Sequence, residues 1–140
     1  MAEIKIVLNN PKTGRSYQKL ADGGMFLGKQ IGDKVNGEEL GLPGYELEIR
    51  GGSDSAGFPM RHDIASAGRK RALLTEGPGV RINREGMKKR KNVRGNTVSD
   101  ATAQVNLKVV KPGPADIEEL LGVKKEEAPA EAKAAPAQTA

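Results

Sequence analysis

No stretch of this chain carries an apolar stripe of helical period longer than about two turns, whereas apolar and polar residues alternate at short intervals along it. Ala103, Val105, Leu107 and Val109 alternate with Gln104, Asn106, Lys108 and Val110, the cleanest period of two present. Ile4, Ile6 and Leu8 alternate with Lys5, Val7 and Asn9, and Tyr45, Leu47 and Ile49 with Glu46, Glu48 and Arg50. Successive side chains of a strand point to opposite sides, so each segment has one face to bury.

Gly and Pro set where these strands stop. Asn10-Pro11-Lys12-Thr13-Gly14 reads as a turn, which folds a second strand from about Arg15 to Leu20 back on the first. A third strand starts at Gly44 and stops at Gly51-Gly52, and Arg69 to Thr75 is a weaker fourth. Val93 to Val98 pairs with the strand at 103–110 across Ser99-Asp100. One short helix is expected near Met25 to Gln30, and a second is capped by Asp116, with Glu119 three residues on and Ile117, Leu120 and Leu121 on one face. The expected fold is all-β and mainly antiparallel: a small barrel-like or sandwich domain over 1–112 with long Gly/Pro-rich loops. The short helix occupies 113–123, and the Ala/Pro/Glu/Lys segment 124–140 reads as a disordered tail with little to bury.

Composition narrows the chemistry. With no Cys, the chain has no disulfide, thiolate metal site, iron–sulfur cluster or Cys nucleophile. With no Trp and 3% aromatic residues the core must be aliphatic, and no platform for stacking unpaired bases is evident. The opening Met1-Ala2-Glu3-Ile4-Lys5 and three-residue aliphatic runs such as Ile6 to Leu8 read as neither a secretory signal nor a membrane span.

The formal charge of +5 is unevenly placed. Residues 1–50 are neutral, residues 51–100 hold eleven Lys/Arg against five Asp/Glu, and residues 101–140 are net −1. The densest run is Arg81, Arg84, Lys88, Lys89, Arg90, Lys91 and Arg94, with Glu85 the one acid among them. Arg61 and Arg69-Lys70-Arg71 lie just upstream. So many cations repel one another unless an anion neutralises them, which points to a polyanion. A membrane surface fits poorly, because the run lacks large apolar side chains for insertion. No helix-turn-helix, zinc-finger or zipper pattern is present to fill a DNA major groove. Recognition should therefore rest on the phosphates and shape of a folded RNA.

Other motifs are weaker. Gly23, Gly28 and Lys29 start a phosphate-loop pattern, but Gln30 stands where a hydroxyl is needed and Met25, Phe26 and Leu27 look like packing. His62, the single histidine, could be sketched into a triad with Ser53 and Asp63, yet no nucleophile-elbow pattern accompanies it. No catalytic residue, metal site or cofactor is expected. The loop Gly51-Gly52-Ser53-Asp54-Ser55-Ala56-Gly57-Phe58-Pro59-Met60-Arg61 has two compatible readings: a structured connection, with Asp54 bonded to nearby amides and Phe58 and Met60 as anchors, or a surface where Gly51, Gly52 and Gly57, with Gly95, allow close approach of RNA. An adaptor role, with the 116–121 helix and the tail docking a protein, is the alternative from another class.

Taken together, the 51–61 loop, Gly68-Arg69-Lys70-Arg71 with Leu73-Leu74, and Lys88-Lys89-Arg90-Lys91 before Val93-Arg94-Gly95-Asn96 strongly resemble ribosomal protein S6e. Asn10 to Gly14, Ile31-Gly32-Asp33 and Gly41-Leu42-Pro43-Gly44-Tyr45 resemble its archaeal branch, and the match runs from about Ile4 to Lys111. The resemblance implies a cytoplasmic, ribosome-associated structural protein of the small subunit, bound to ribosomal RNA and neighbouring ribosomal proteins, without enzymatic activity or small-molecule substrate. Val80 and Ile82 depart from the aromatic and Pro that the family favours there, so no stacking contact carries over to Val80. The long basic C-terminal helix and regulated serines of eukaryotic relatives are replaced by the nearly neutral tail.

Overall fold

The three clearest alternating segments become the middle of one sheet. In a computed structural model that describes residues 3–122, β1 (Glu3–Asn10), β7 (Thr102–Lys111) and β4 (Glu46–Asp54) lie side by side. Their apolar positions face one way: Ile4, Ile6, Leu8, Leu47, Ile49, Val105, Leu107 and Val109 are all buried. Flanking strands β2 (Arg15–Asp22) and β3 (Lys34–Asn36) complete the order β2-β1-β7-β4-β3. Among the described residues β2 and β3 are the sheet's edges, so the sheet is open and the expected barrel closure does not occur.

β1 and β2 form the expected hairpin, running from Glu3 opposite Asp22 to Asn10 opposite Arg15. Gly14 closes its turn at φ 70° with a hydrogen bond from its amide to the Asn10 carbonyl. β1 and β7 are parallel, a pairing that needs a long crossover; here all of 11–101 provides it. β4 does not stop at Gly51-Gly52 as expected. It bulges between Ile49 and Gly51 and continues to Asp54. A Cβ on Gly52 would lie 2.2 Å from the Gln104 carbonyl oxygen, so the missing side chain lets the strand pass.

The layer over the buried face comes mostly from loops and short helical turns. Phe26, Leu40, Leu42, Tyr45, Met60 and Val98 pack there with Ile117 of α1 (Ile117–Leu120). The helix expected at 25–30 is instead a 3-10 turn at Gly23–Met25. Phe26 caps the turn, its amide donating to the Gly23 carbonyl, and Gly28 at φ 78° redirects the chain two residues later. The segment then pairs with 96–98 through Gly28 to Val98, Val98 to Lys29 and Ile31 to Asn96 hydrogen bonds. Val93 to Val98 is thus not one strand beside β7. Gly95 divides it: a Cβ there would lie 1.9 Å from the Ser66 carbonyl oxygen, so only glycine permits the crossing.

Residues before that crossing form β6 (Lys89–Arg94), which pairs with β5 (Arg69–Leu74) in a separate two-stranded ribbon. α1 is seated by more than Ile117: Glu118 accepts from Tyr17 Oη at 2.8 Å and from Arg15 at 2.7 Å, and Tyr45 donates its hydroxyl to the Ala115 carbonyl. Asp116 occupies the cap position without a side-chain cap bond. The segment expected to be a disordered tail lies outside the described residues.

Candidate nucleic-acid interface

Asp54 organises the base of the ribbon. Its carboxylate is fully buried, and Oδ1 accepts from the amides of Ala56 at 2.9 Å and Phe58 at 3.0 Å. Oδ2 accepts from Arg69 Nε at 2.8 Å and from Arg94 Nε at 3.0 Å. Burial alone would push this carboxyl up, but Arg69 and Arg94, with the amides of Phe58 and Ala56, outweigh it and hold the group below the ordinary carboxylate range. Arg94 adds bonds to the Ala67 carbonyl and Ser99 Oγ. Arg69 lies over the Phe58 ring, 4.9 Å from its centroid, so a polar and an aromatic partner fix the same guanidinium.

Arg61 is fixed in a second, similar place. It clasps the Asp63 carboxylate with Nε and one terminal nitrogen, at 3.0 and 2.8 Å, and donates from the other to the carbonyls of Glu76 and Pro78. This draws the 76–79 loop over Val93, where a Cβ on Gly79 would lie 2.7 Å from Val93 Cγ1. Hydrogen bonding to Arg61 lowers the Asp63 carboxyl from its ordinary value, against the opposing effect of burial.

The eleven cations singled out from sequence therefore fall into two sets. Arg61 and Arg94 are buried, and together with Arg69 they are ion-paired to Asp63 and Asp54. Lys70, Arg71, Arg81, Arg84, Lys88, Arg90 and Lys91 are exposed and Lys89 is half-buried. None of these eight is ion-paired among the described residues. Arg81, Lys89 and Lys91 line a concavity of about 600 Å³ with Gly77, Gly79 and Val80.

The glycines divide as well. Gly52 and Gly95 make their close approaches to the chain's own backbone, whereas the Cβ positions of Gly51 and Gly57 are open, Gly57 at φ 90°. Sequence reasoning recognised Asp54's amide bonds but missed its two arginines, because a pairing with Arg94 spans 40 residues and has no local signal. It also missed exposed Leu73 and Asn92 on the ribbon; once the strand register is known, alternation alone would have placed them.

The other motifs do not assemble into sites. Phe26 is fully buried with Lys29 over its ring, so the 23–29 loop is packed rather than open around a phosphate. His62 is exposed and Asp63 is held by Arg61, which leaves the sketched triad without its acid. Among the described residues no group of three or more His, Cys, Asp or Glu could hold a metal ion, and no helix is long and apolar enough to cross a membrane. The apolar side of α1 that an adaptor would offer is turned into the core at Ile117.

Residues 4–122 match the model of the ribosomal protein S6e family. A protein of Methanocaldococcus jannaschii named small ribosomal subunit protein eS6 is 49% identical over 123 residues, covering 88% of this chain and 94% of the relative. The protein of that name in Archaeoglobus fulgidus is 45% identical over 128 residues, covering 89% and 99%. In Methanocella arvoryzae the identity is 41% over 140 residues, covering 98% and 99%. The family is one of ribosomal proteins rather than enzymes.

Proposed function

Since the chain belongs to the ribosomal protein S6e family, we propose that it is a structural constituent of the small ribosomal subunit, bound to folded ribosomal RNA through phosphate and shape contacts. It works in the cytoplasm as part of the ribosome, beside other ribosomal proteins. One observation carries the RNA contact: eight cations with no acidic partner among the described residues cluster on the β5–β6 ribbon and the loop joining its strands.

The chemistry follows from charge density. Each Lys or Arg that neutralises a phosphate releases a condensed counterion, so binding is favoured by ion release and opposed by added salt. Lys70, Arg71, Arg81, Arg84 and Lys88 to Lys91 supply the contacts. Arg61, Arg69 and Arg94 act as framework that fixes the ribbon's base, and Gly51 and Gly57 leave room for a sugar–phosphate strand beside it.

The test is a salt titration of the chain against protein-free small-subunit ribosomal RNA. Neutralising about five phosphates gives a log–log slope of roughly −4. Lys88 to Lys91 replaced together by Glu should weaken binding to every RNA sequence with little change in thermal melt, as these side chains make no ion pair among the described residues. A flat salt response would refute the reading.

A further inference from the structure

The register of the β5–β6 ribbon sorts its cations by chemical type. Directly opposed residues of an antiparallel pair project to the same face. Arg69, Arg71 and Leu73 oppose Arg94, Asn92 and Arg90, while Lys70, Ala72 and Leu74 oppose Val93, Lys91 and Lys89. Every arginine of the ribbon therefore lies on one face and every lysine on the other. Toward the base, Arg69 and Arg94 are tied to Asp54. Farther out, Arg71, Arg90 and Asn92 are exposed and surround Leu73, which is 51% exposed. On the lysine face, Lys89 and Lys91 open onto the glycine-lined concavity with Arg81.

These faces offer different chemistry. A guanidinium is planar, weakly hydrated and able to stack on a base or grip it with two donors, whereas an ammonium is a strongly hydrated point charge suited to phosphate. An exposed leucine between two arginines adds an apolar contact that a phosphate cannot use but a base or ribose can. Ala72, Leu74 and Val93, the apolar residues of the lysine face, are half-buried or buried, so that face offers charge alone.

Resting on the RNA reading above, we infer that the ribbon is a two-sided RNA contact. The face of Arg71, Leu73, Arg90 and Asn92 packs against exposed nucleotides of one RNA segment, and the face of Lys70, Lys89 and Lys91, with Arg81, holds the phosphates of another. The ribbon thus sits between two segments.

Charge-conserving exchanges in the full-length chain separate this from simple charge attraction. Binding is measured to protein-free small-subunit ribosomal RNA and to inorganic polyphosphate, which has charge but no bases. The double variant Arg71→Lys with Arg90→Lys should weaken RNA binding about tenfold while leaving polyphosphate binding and the salt slope unchanged. Leu73→Ser should repeat the RNA-selective loss, and Lys89→Arg with Lys91→Arg should leave both affinities within about twofold. The substituted Arg71, Leu73 and Arg90 are exposed, so an unchanged thermal melt confirms that each variant of this face is folded. The inference is overturned if the double arginine variant and Leu73→Ser leave RNA affinity intact, or if RNA and polyphosphate binding fall together. Either outcome keeps the salt-dependent RNA reading alive, whereas a wild-type chain indifferent to salt removes that reading itself.

Discussion

Replacing Asp54 by Ala deletes the one anion that Arg69 and Arg94 share. The two arginines do not suffer equally. Arg69 has a side chain 44% exposed and can turn to solvent, but Arg94 is 9% exposed and has nowhere to take its charge. Removing one partner of a buried ion pair costs about 3–5 kcal/mol, because the other charge stays behind without compensation. For a domain of this size that lowers the melting temperature by roughly 12–20 °C, at about 4 °C per kcal/mol. The assay is thermal unfolding of wild type, Asp54→Ala, Arg94→Met and the double variant. If the stranded guanidinium causes the loss, the double variant is more stable than the two single losses predict, with a coupling of about 2 kcal/mol or more. Strictly additive losses would refute the reasoning. Acid supplies an independent check. Asp54 has a depressed folded value, so its stabilisation is complete above the unfolded value of about 3.9 and is lost as pH falls through the folded one. The stability gap between wild type and Asp54→Asn should therefore narrow below about pH 4.

Arg61→Met should free the 76–79 loop, costing about 1–3 kcal/mol and raising hydrogen exchange across 76–80; Arg61→Lys should not restore protection, because an ammonium cannot reproduce the two-pronged grip on Asp63 and both carbonyls. Unchanged exchange in Arg61→Met would show that the loop is held some other way. Gly95→Ala pushes a methyl into the Ser66 carbonyl and should cost about 3 kcal/mol in denaturant unfolding, or prevent folding outright. Gly57→Ala meets open space and only the positive-φ penalty, about 1–2 kcal/mol; equal losses at the two positions would contradict the crossing at Gly95.

Legibility in the sequence followed the range of the interactions. The β1–β2 hairpin was legible because its turn is local, and β7 because Val105, Leu107 and Val109 alternate without interruption. The parallel union of β1 with β7 was not, since nothing in either strand encodes a partner about a hundred residues away. Glycine was ambiguous for a physical reason. It ends a strand in one context and, as at Gly52, lets a bulged strand continue in another, and only the neighbouring backbone decides. Val93 to Val98 reads as one strand beside β7 because Ser99-Asp100 offers a turn between them; Gly95 divides that run at a crossing visible only in three dimensions.

The basic region shows the same limit more sharply. In sequence its eleven cations are equivalent, and charge counting credits all of them to a partner. In the folded chain two aspartates set three of them apart, pairing Arg61, Arg69 and Arg94. Asp54 lies where burial discourages a lone carboxylate and keeps its charge through Arg69 and Arg94, while the more exposed Asp63 is clasped by the buried Arg61. Those arginines in turn fix what carries the rest: Arg94 and Arg69 hold the root of the ribbon, and Arg61 holds the loop that forms one wall of the lysine concavity. The acids of a basic surface thus set its shape as well as its net charge. Losing Asp54 should harm RNA binding even though it makes the chain more positive, a direction opposite to what electrostatics alone dictates.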